Sequence, residues 1–223
     1  MFRLFDRYYE NVTMAAFLAD LAEKHWAILL LDPRTDALCG FSTQMLREAS
    51  VDGASVKYLF SGDTVVARDH WGDIALSRVW GRLALSLIDR HSPGELYWFL
   101  ISKGYKTYRF LPLFFHEFYP RYDAPTPDWA CRLIDTFAQH KFPLVYDVTA
   151  GIIRANRQKD HLRPGVADLT AERLRNPHVR FFEQRNSGHV RGEELCCLAP
   201  LSRDNFTRAA YRAIGAEPVM AEG

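Results

Sequence analysis

Hydrophobic residues along this chain fall into short runs set apart by turn residues, and the runs show two periods. Residues 56–66, V-K-Y-L-F-S-G-D-T-V-V, are apolar or β-branched almost throughout, as in a strand buried on both faces. Gly62 interrupts that run, where glycine marks a bulge or a close backbone approach. Beyond it, Leu76, Val79, Trp80, Leu83 and Leu87 recur at helical spacing, and Asp73 stands where it can cap the helix they predict. The connecting A-R-D-H-W-G-D segment feeds a helix N-terminus, whose N–H groups and dipole can hold a phosphate.

The same reading orders the rest of the chain. Apolar positions at Val12, Ala16, Leu18 and Leu21 predict a helix over 4–24, followed by a strand at 26–31 and another at 38–46. Asp32-Pro33-Arg34-Thr35-Asp36 and Asp52-Gly53 supply the turns of an antiparallel meander. Ser92-Pro93-Gly94 ends the central helix, and 95–102 is a further strand. A strand–helix–strand connection of this kind favours parallel pairing with 56–66 and hence a mixed sheet. The aromatic stretch 103–118 reads as partly helical around Pro112, and 119–127 as a loop. Thr126 and Pro127 open a helix at 128–139. Strands are expected at 144–148, 179–184 and 194–198, loop and short helix over 154–176, and a last helix at 203–214 before a frayed tail.

The segment from strand 56–66 through the loop and helix resembles the GCN5-related N-acyltransferase (GNAT) family. That resemblance implies an α/β (α+β) fold with a mixed, mostly antiparallel sheet flanked by helices. It places a GNAT-like, acyl-CoA-binding core at 1–121, with 122–223 completing the domain or shaping the acceptor site. In the family a bulged strand pairs with the pantetheine arm, and a Q/R-x-x-G-x-G/A loop binds the pyrophosphate. Carried over, these roles fall on Gly62, Thr64, Val66, Arg68, Trp71, Gly72, Asp73 and Ile74. With Arg68 first in the motif, Trp71 takes the glycine position; with Gly72 as the central glycine, Asp69 takes the Q/R position. The implied donor is acyl-CoA or acetyl-CoA, or an acyl carrier protein, and the acceptor is a small-molecule amine or a peptide or protein amine. The alternative is a non-catalytic binding or interaction module on the same fold.

Acyl transfer to an amine needs a polarised thioester, a base for the amine and a proton for the departing thiolate. The family often uses a tyrosine after the fifth strand as the acid, which points to Tyr108 rather than Tyr105 in K-G-Y-K-T-Y-R-F. Candidate bases are Asp63, whose apolar strand would raise its pKa, His116 with Glu117, and His189 on a glycine-bearing loop. Each has a structural counterpart: a packed aromatic, a hydrogen-bonded carboxylate, a solvated histidine. Arg154, Arg157, Lys159 and Arg163 form a basic group suited to a 3′-phosphate or to plain solvation.

Composition narrows the setting. A chain of 223 residues, 48% hydrophobic and 25% charged, can bury a sizeable core. A net charge of +1 supplies no general attraction to nucleic acid or membrane. No apolar run spans a bilayer and no secretory signal opens the chain, so a cytoplasmic setting is expected. Cys39, Cys131, Cys196 and Cys197 lack the spacing of a zinc motif, so no metal is expected and the thiols read as reduced and mostly buried. Neighbours on a strand, Cys196 and Cys197 should face opposite sides.

Overall fold

The computed structural model describes residues 1–91 and 94–217. Helix α1 (Phe2–Asp6), strand β1 (Tyr9–Glu10) and helix α2 (Met14–Ala22) precede β2 (Trp26–Leu31), β3 (Leu38–Val51) and β4 (Ala54–Val66). Helix α3 (Ala75–Ile88) leads to β5 (Leu96–Ser102), then to short helices α4 (Tyr105–Tyr108) and α5 (Phe110–Phe114). The second half holds α6 (Asp128–Lys141), β6 (Tyr146–Asp147), β7 (Ile152–Ile153), β8 (His161–Leu162), α7 (Pro177–Arg185), β9 (Glu194–Pro200) and α8 (Arg208–Ile214).

Seven strands form one sheet in the order β2-β3-β4-β5-β9-β7-β6, and β1 pairs with β8 apart from it. Only β4 and β5 run parallel among the described residues. This is the mixed, mostly antiparallel sheet flanked by helices that the sequence implied. Strands from 122–223 extend the sheet outward from β5, so both halves of the chain build one layer. No helix among the described residues is long and apolar enough to cross a membrane.

Period-two alternation sorts the sheet's side chains between two cores. Tyr58 and Phe60 pack with Leu133, Ile134 and Phe137 of α6, while Leu59 packs on the other side with Trp80 and Ala84 of α3. Cys197 lies in the α3 core and Cys196 in the α6 core, as their adjacency requires. A third core joins Phe5, Phe17, Phe41 and Val65 beneath α1 and α2.

Several local expectations are corrected. The helix expected over 4–24 is broken: Asn11 has a φ of 58°, and the Thr13 side chain accepts from the Ala16 N–H to start α2 afresh. Residues 179–184 are helical, not a strand. Asn176 caps that helix through the N–H groups of His178 and Val179, and Pro177 sits at its first position. Pro127, not Thr126, is the residue preceding α6. The strand expected at 144–148 shrinks to Tyr146–Asp147, and the last helix starts later, at Arg208. Ile74 occupies the N-cap of α3 while Asp73 accepts from the Ala75 N–H at 2.7 Å. Ser92, Pro93 and the tail beyond Glu217 lie outside the described residues.

Helices α3 and α8 meet where Gly81 leaves room for Ile214, since a Cβ at Gly81 would overlap Ile214 Cγ1. Gly81→Ala should therefore cost about 1–3 kcal/mol by overpacking, measured by urea unfolding. In an Ile214→Ala background the same change should be neutral or stabilising, because alanine is the better helix former. An equal cost in both backgrounds would show that this contact is not the cause.

Candidate active site

A break in one strand creates the site. β4 and β5 pair from Lys57 with Leu96 up to Ser61 with Leu100, and there the pairing stops while β5 continues along β9. On its other edge β4 carries a bulge: Gln44 of β3 faces Ser61, Ser42 faces Thr64, and Thr43 alone spans Gly62 and Asp63. The extra residue reverses the alternation, so Ser61 and Thr64 point to the same face. Gly62 is required at the bulge, since an added Cβ would lie 2.6 Å from both Lys24 Cε and Thr43 Oγ1.

Buried hydrogen bonds hold the split in place. The Ser61 hydroxyl donates to Gln44 Oε1 at 2.6 Å and accepts from the indole N–H groups of Trp98 at 2.9 Å and Trp80 at 3.3 Å. Gln44 Nε2 donates to Ser42 Oγ at 2.7 Å, and Ser42 Oγ pairs with Thr64 Oγ1 at 2.7 Å. The network runs from α3 through β3 and β4 to β5, joining every element around the point of divergence.

Two cavities flank the wedge. One, of about 60 Å³, lies towards α3 between Ser61, Thr64, Leu76, Trp80, Leu100 and Phe110. The other, of about 390 Å³, lies on the opposite face and is bounded by Phe17, Phe60, Asp63, Lys103, Asp160 and Glu194. Thr64 and Thr107 line both.

Charge in the larger cavity is unevenly compensated. Lys103 bonds Asp160 and stands 3.6 Å from Glu194, while Lys159 lies 2.8 Å from Glu194. Burial works against the Lys103 charge, but Glu194 and Asp160 outweigh it and raise its pKa. Asp160 is likewise held below the usual carboxylate range by the two lysines, against the effect of burial. Asp20 is paired with Lys24 at 2.6 Å. Asp63 has no ion-pair partner among the described residues. Burial, then the neighbouring Asp20 charge, lifts its pKa to about 7, with Lys103 pulling the other way.

The expected phosphate loop forms a 3-10 turn at Arg68–His70 and passes through Gly72, whose φ of +100° suits glycine. Trp71 donates its indole N–H to the Val66 carbonyl at 2.9 Å, which closes off that carbonyl of β4. Trp71 and Ile74 are exposed. Lys106 Nζ lies 3.5 Å from the Trp71 ring centroid and the Arg68 guanidinium 5.1 Å. Burial and the nearby Arg173 and Arg68 charges lower the Lys106 pKa, and none of these three cations has a carboxylate partner among the described residues. Against this positive group, the Asp73 carboxylate covers one N–H of the α3 terminus.

Of the sequence candidates, Gly62, Asp63 and Thr64 come together at the wedge, and Arg68, Trp71, Gly72, Asp73 and Ile74 form the loop beside it. Tyr108 does not join them. It is fully buried, its hydroxyl donates to the Pro120 carbonyl at 2.9 Å, and Phe118, Phe181 and Phe182 enclose its ring. The spacing that singled it out has it pointing into the core, and Thr107 of the same short helix reaches the cavities instead. Tyr105 is buried as well. His116 and Glu117 are exposed on the run after α5, where their backbone N–H groups bond Asn205. His189 packs on Phe182, and burial lowers its pKa. Of the basic group, Arg154 pairs with Asp147 and Glu193, Lys159 with Glu194, and Arg163 with Glu10. Sequence reasoning missed Lys103, Asp160 and Glu194. The available signal was a charge at the end of each apolar strand, Lys103 after β5 and Glu194 opening β9.

No family model matches the chain, and no curated protein matches it. Among solved structures it is similar to a conserved Enterococcus faecalis protein of unknown function, described as a probable N-acyltransferase. The TM-score is 0.41 and the identity 15%, over 52% of this chain and 29% of that one. The present chain thus spans less than a third of that protein's length. It is also similar to a Mycobacterium tuberculosis protein in complex with CoA and NLQ, with a TM-score of 0.39, 12% identity, and coverage of 90% and 91% of the two chains.

The network makes the wedge testable before any ligand is known. Gln44→Leu removes partners from Ser42, Ser61 and Trp80 at once, so the loss should exceed one ordinary buried hydrogen bond. Unfolding followed by tryptophan fluorescence should show a cost on the order of 1–3 kcal/mol for each group left unpaired. Added to Ser61→Ala, the change should cost less than the sum, because both act on one network.

Proposed function

We propose that this protein transfers an acyl group from acyl-CoA, or an acyl carrier protein, to an amine. The observation that carries the proposal is the wedge between β4 and β5, with a cavity on either face and the unpaired Asp63 carboxyl at its bulge. Beyond Ser61 the β5-facing edge of β4 has no strand partner among the described residues, so its backbone groups short of the Val66 carbonyl, which Trp71 takes, are available to an extended pantetheine-like arm. Arg68, Lys106 and Arg173 beside the loop supply charge for the donor's phosphates.

The acceptor amine enters the larger cavity and Asp63 takes its proton. The nitrogen attacks the thioester carbonyl, the C–N bond forms and the C–S bond breaks. Sulfur leaves as thiolate, a good leaving group because thiols ionise near about 8.5. This assignment needs no tyrosine acid. The second reading, a non-catalytic module on the same fold, is favoured by one observation: the Asp73 carboxylate at the α3 N-terminus opposes a phosphate there.

Donor binding separates the two. CoA at millimolar concentration should raise the melting temperature, because it binds only the folded chain. Lys106→Ala should weaken that binding about tenfold, the worth of one charge-assisted contact. A flat response across several acyl lengths would favour the module.

Asp63 carries a second test, with opposite signs for activity and stability. As a base it works ionised, so kcat/KM should rise with pH and level off above about 7. Asp63→Asn should lower turnover by roughly a hundredfold or more and remove that dependence. In the unfolded chain the carboxyl ionises near about 3.9, whereas in the fold it holds its proton up to about 7. Stability therefore falls as pH rises through that window, as a charge is forced into the cavity wall. Asp63→Asn should raise the melting temperature at pH 8 relative to the parent and leave it unchanged near pH 4.

A further inference from the structure

Three ligand-bearing side chains from separate segments converge at the end of the sheet, near the loop but outside both cavities. Asp32 lies in the turn after β2, Cys39 near the start of β3, and His70 at the end of the 3-10 turn after β4. A carboxylate oxygen, the thiol sulfur and an imidazole nitrogen all lie within 4.8 Å of one another. No short sequence motif unites them, since the fold alone brings positions 32, 39 and 70 together.

The surroundings leave these atoms free to bind something. Asp32 Oδ1 accepts the N–H groups of Arg34 at 2.8 Å and Thr35 at 3.0 Å, which fixes the carboxyl and leaves Oδ2. The Cys39 side chain is buried, and its sulfur touches only the Ala37 carbonyl at 3.3 Å among the described hydrogen-bonding groups. The His70 ring makes no hydrogen bond among the described residues. The backbone holds the site in register, for the Ala67 N–H donates to the Cys39 carbonyl at 2.7 Å.

We propose that Asp32, Cys39 and His70 bind a zinc ion, with water completing a four-coordinate site. Zinc takes sulfur, nitrogen and oxygen ligands together in tetrahedral geometry, at about 2.0–2.3 Å from the metal. A thiolate and a carboxylate supply two negative charges to the dication. Calcium and magnesium prefer oxygen ligands and would leave sulfur and nitrogen unused. The backbone already brings the three segments together, through the Ala67 N–H to the Cys39 carbonyl and the Asp32 N–H to the Ala37 carbonyl. The bound ion clips the β2–β3 turn to the loop that carries Arg68 and Trp71. The inference is independent of acyl transfer.

The test uses the full chain stripped of metal with a chelator and titrated with Zn²⁺ against a chromophoric competitor. One equivalent should bind, and Co²⁺ in its place should give the near-ultraviolet band of a thiolate ligand. Cys39→Ser should abolish the band and weaken zinc binding at least about tenfold, the loss that even a group supporting a ligand brings. His70→Ala should weaken binding similarly and keep the band. Cys131→Ser, which alters an exposed thiol elsewhere, should change neither. If Cys39→Ser does not fold, the His70→Ala comparison decides, since that ring is only half-buried and supports no hydrogen bond. The absence of stoichiometric binding, or unchanged affinity in His70→Ala, overturns the assignment.

Discussion

The hydrogen bond between Ser61 and Gln44 is the constraint on which the site depends. A serine and a glutamine among tryptophans would each cost stability if left unpaired, so the two backbones are held where their side chains can meet. That requirement fixes the register of β3 against β4 just before the bulge. Once Ser61 is anchored to Trp98 of β5 and Trp80 of α3, the chain can depart from β5 only after this residue. The bulge then follows from the match between Ser42 and Thr64, which needs one residue more on β4 than on β3. Polar side chains here do the work that apolar packing does elsewhere in the sheet. They specify one arrangement instead of merely favouring a compact one.

Electrostatics at the wedge follow from which carboxylates find partners. Four acidic groups, Asp20, Asp63, Asp160 and Glu194, border the larger cavity. Lysines reach Asp20, Asp160 and Glu194, and those pairs are structural. Asp63 is set apart by the bulge, which aims it away from the polar network on one face and into the cavity on the other. Its proton affinity is therefore a product of backbone geometry. Without the extra residue its side chain would project towards α3.

What the sequence revealed was whatever depends on neighbours along the chain. The apolar run around Gly62 and the helix after it led directly to the parallel pair and the bulge. Adjacent cysteines on one strand could only face opposite cores, and they do. Where local preference met a competing signal, the reading failed. The V-R-F-F-E-Q stretch has the β-branched and aromatic content of a strand, but Asn176 and Pro177 start a helix and bury Val179 and Phe182 on one side. Tyr108 was chosen by spacing, and spacing carries no information about the Pro120 carbonyl that takes its hydroxyl. Lys103, Asp160 and Glu194 are far apart in sequence: Lys103 and Glu194 meet when β9 joins β5, and Asp160 reaches them from beside β8, outside that sheet.

Strand β4 has a further property. Leu59 belongs to the core under α3, Tyr58 and Phe60 to the core under α6, and Val65 to the core under α1 and α2. Its neighbour β3 does the same, with Leu46 packed against the first of these cores, Met45 in the second and Phe41 in the third. Local opening of β4 would disrupt all of them together, so the amides it pairs with β3 and with β5 up to Ser61 should exchange with solvent only when the whole molecule unfolds. The paired stretch from which the strand departs is thus also the slowest to fluctuate, so the root of the cleft stays in place for as long as the molecule is folded.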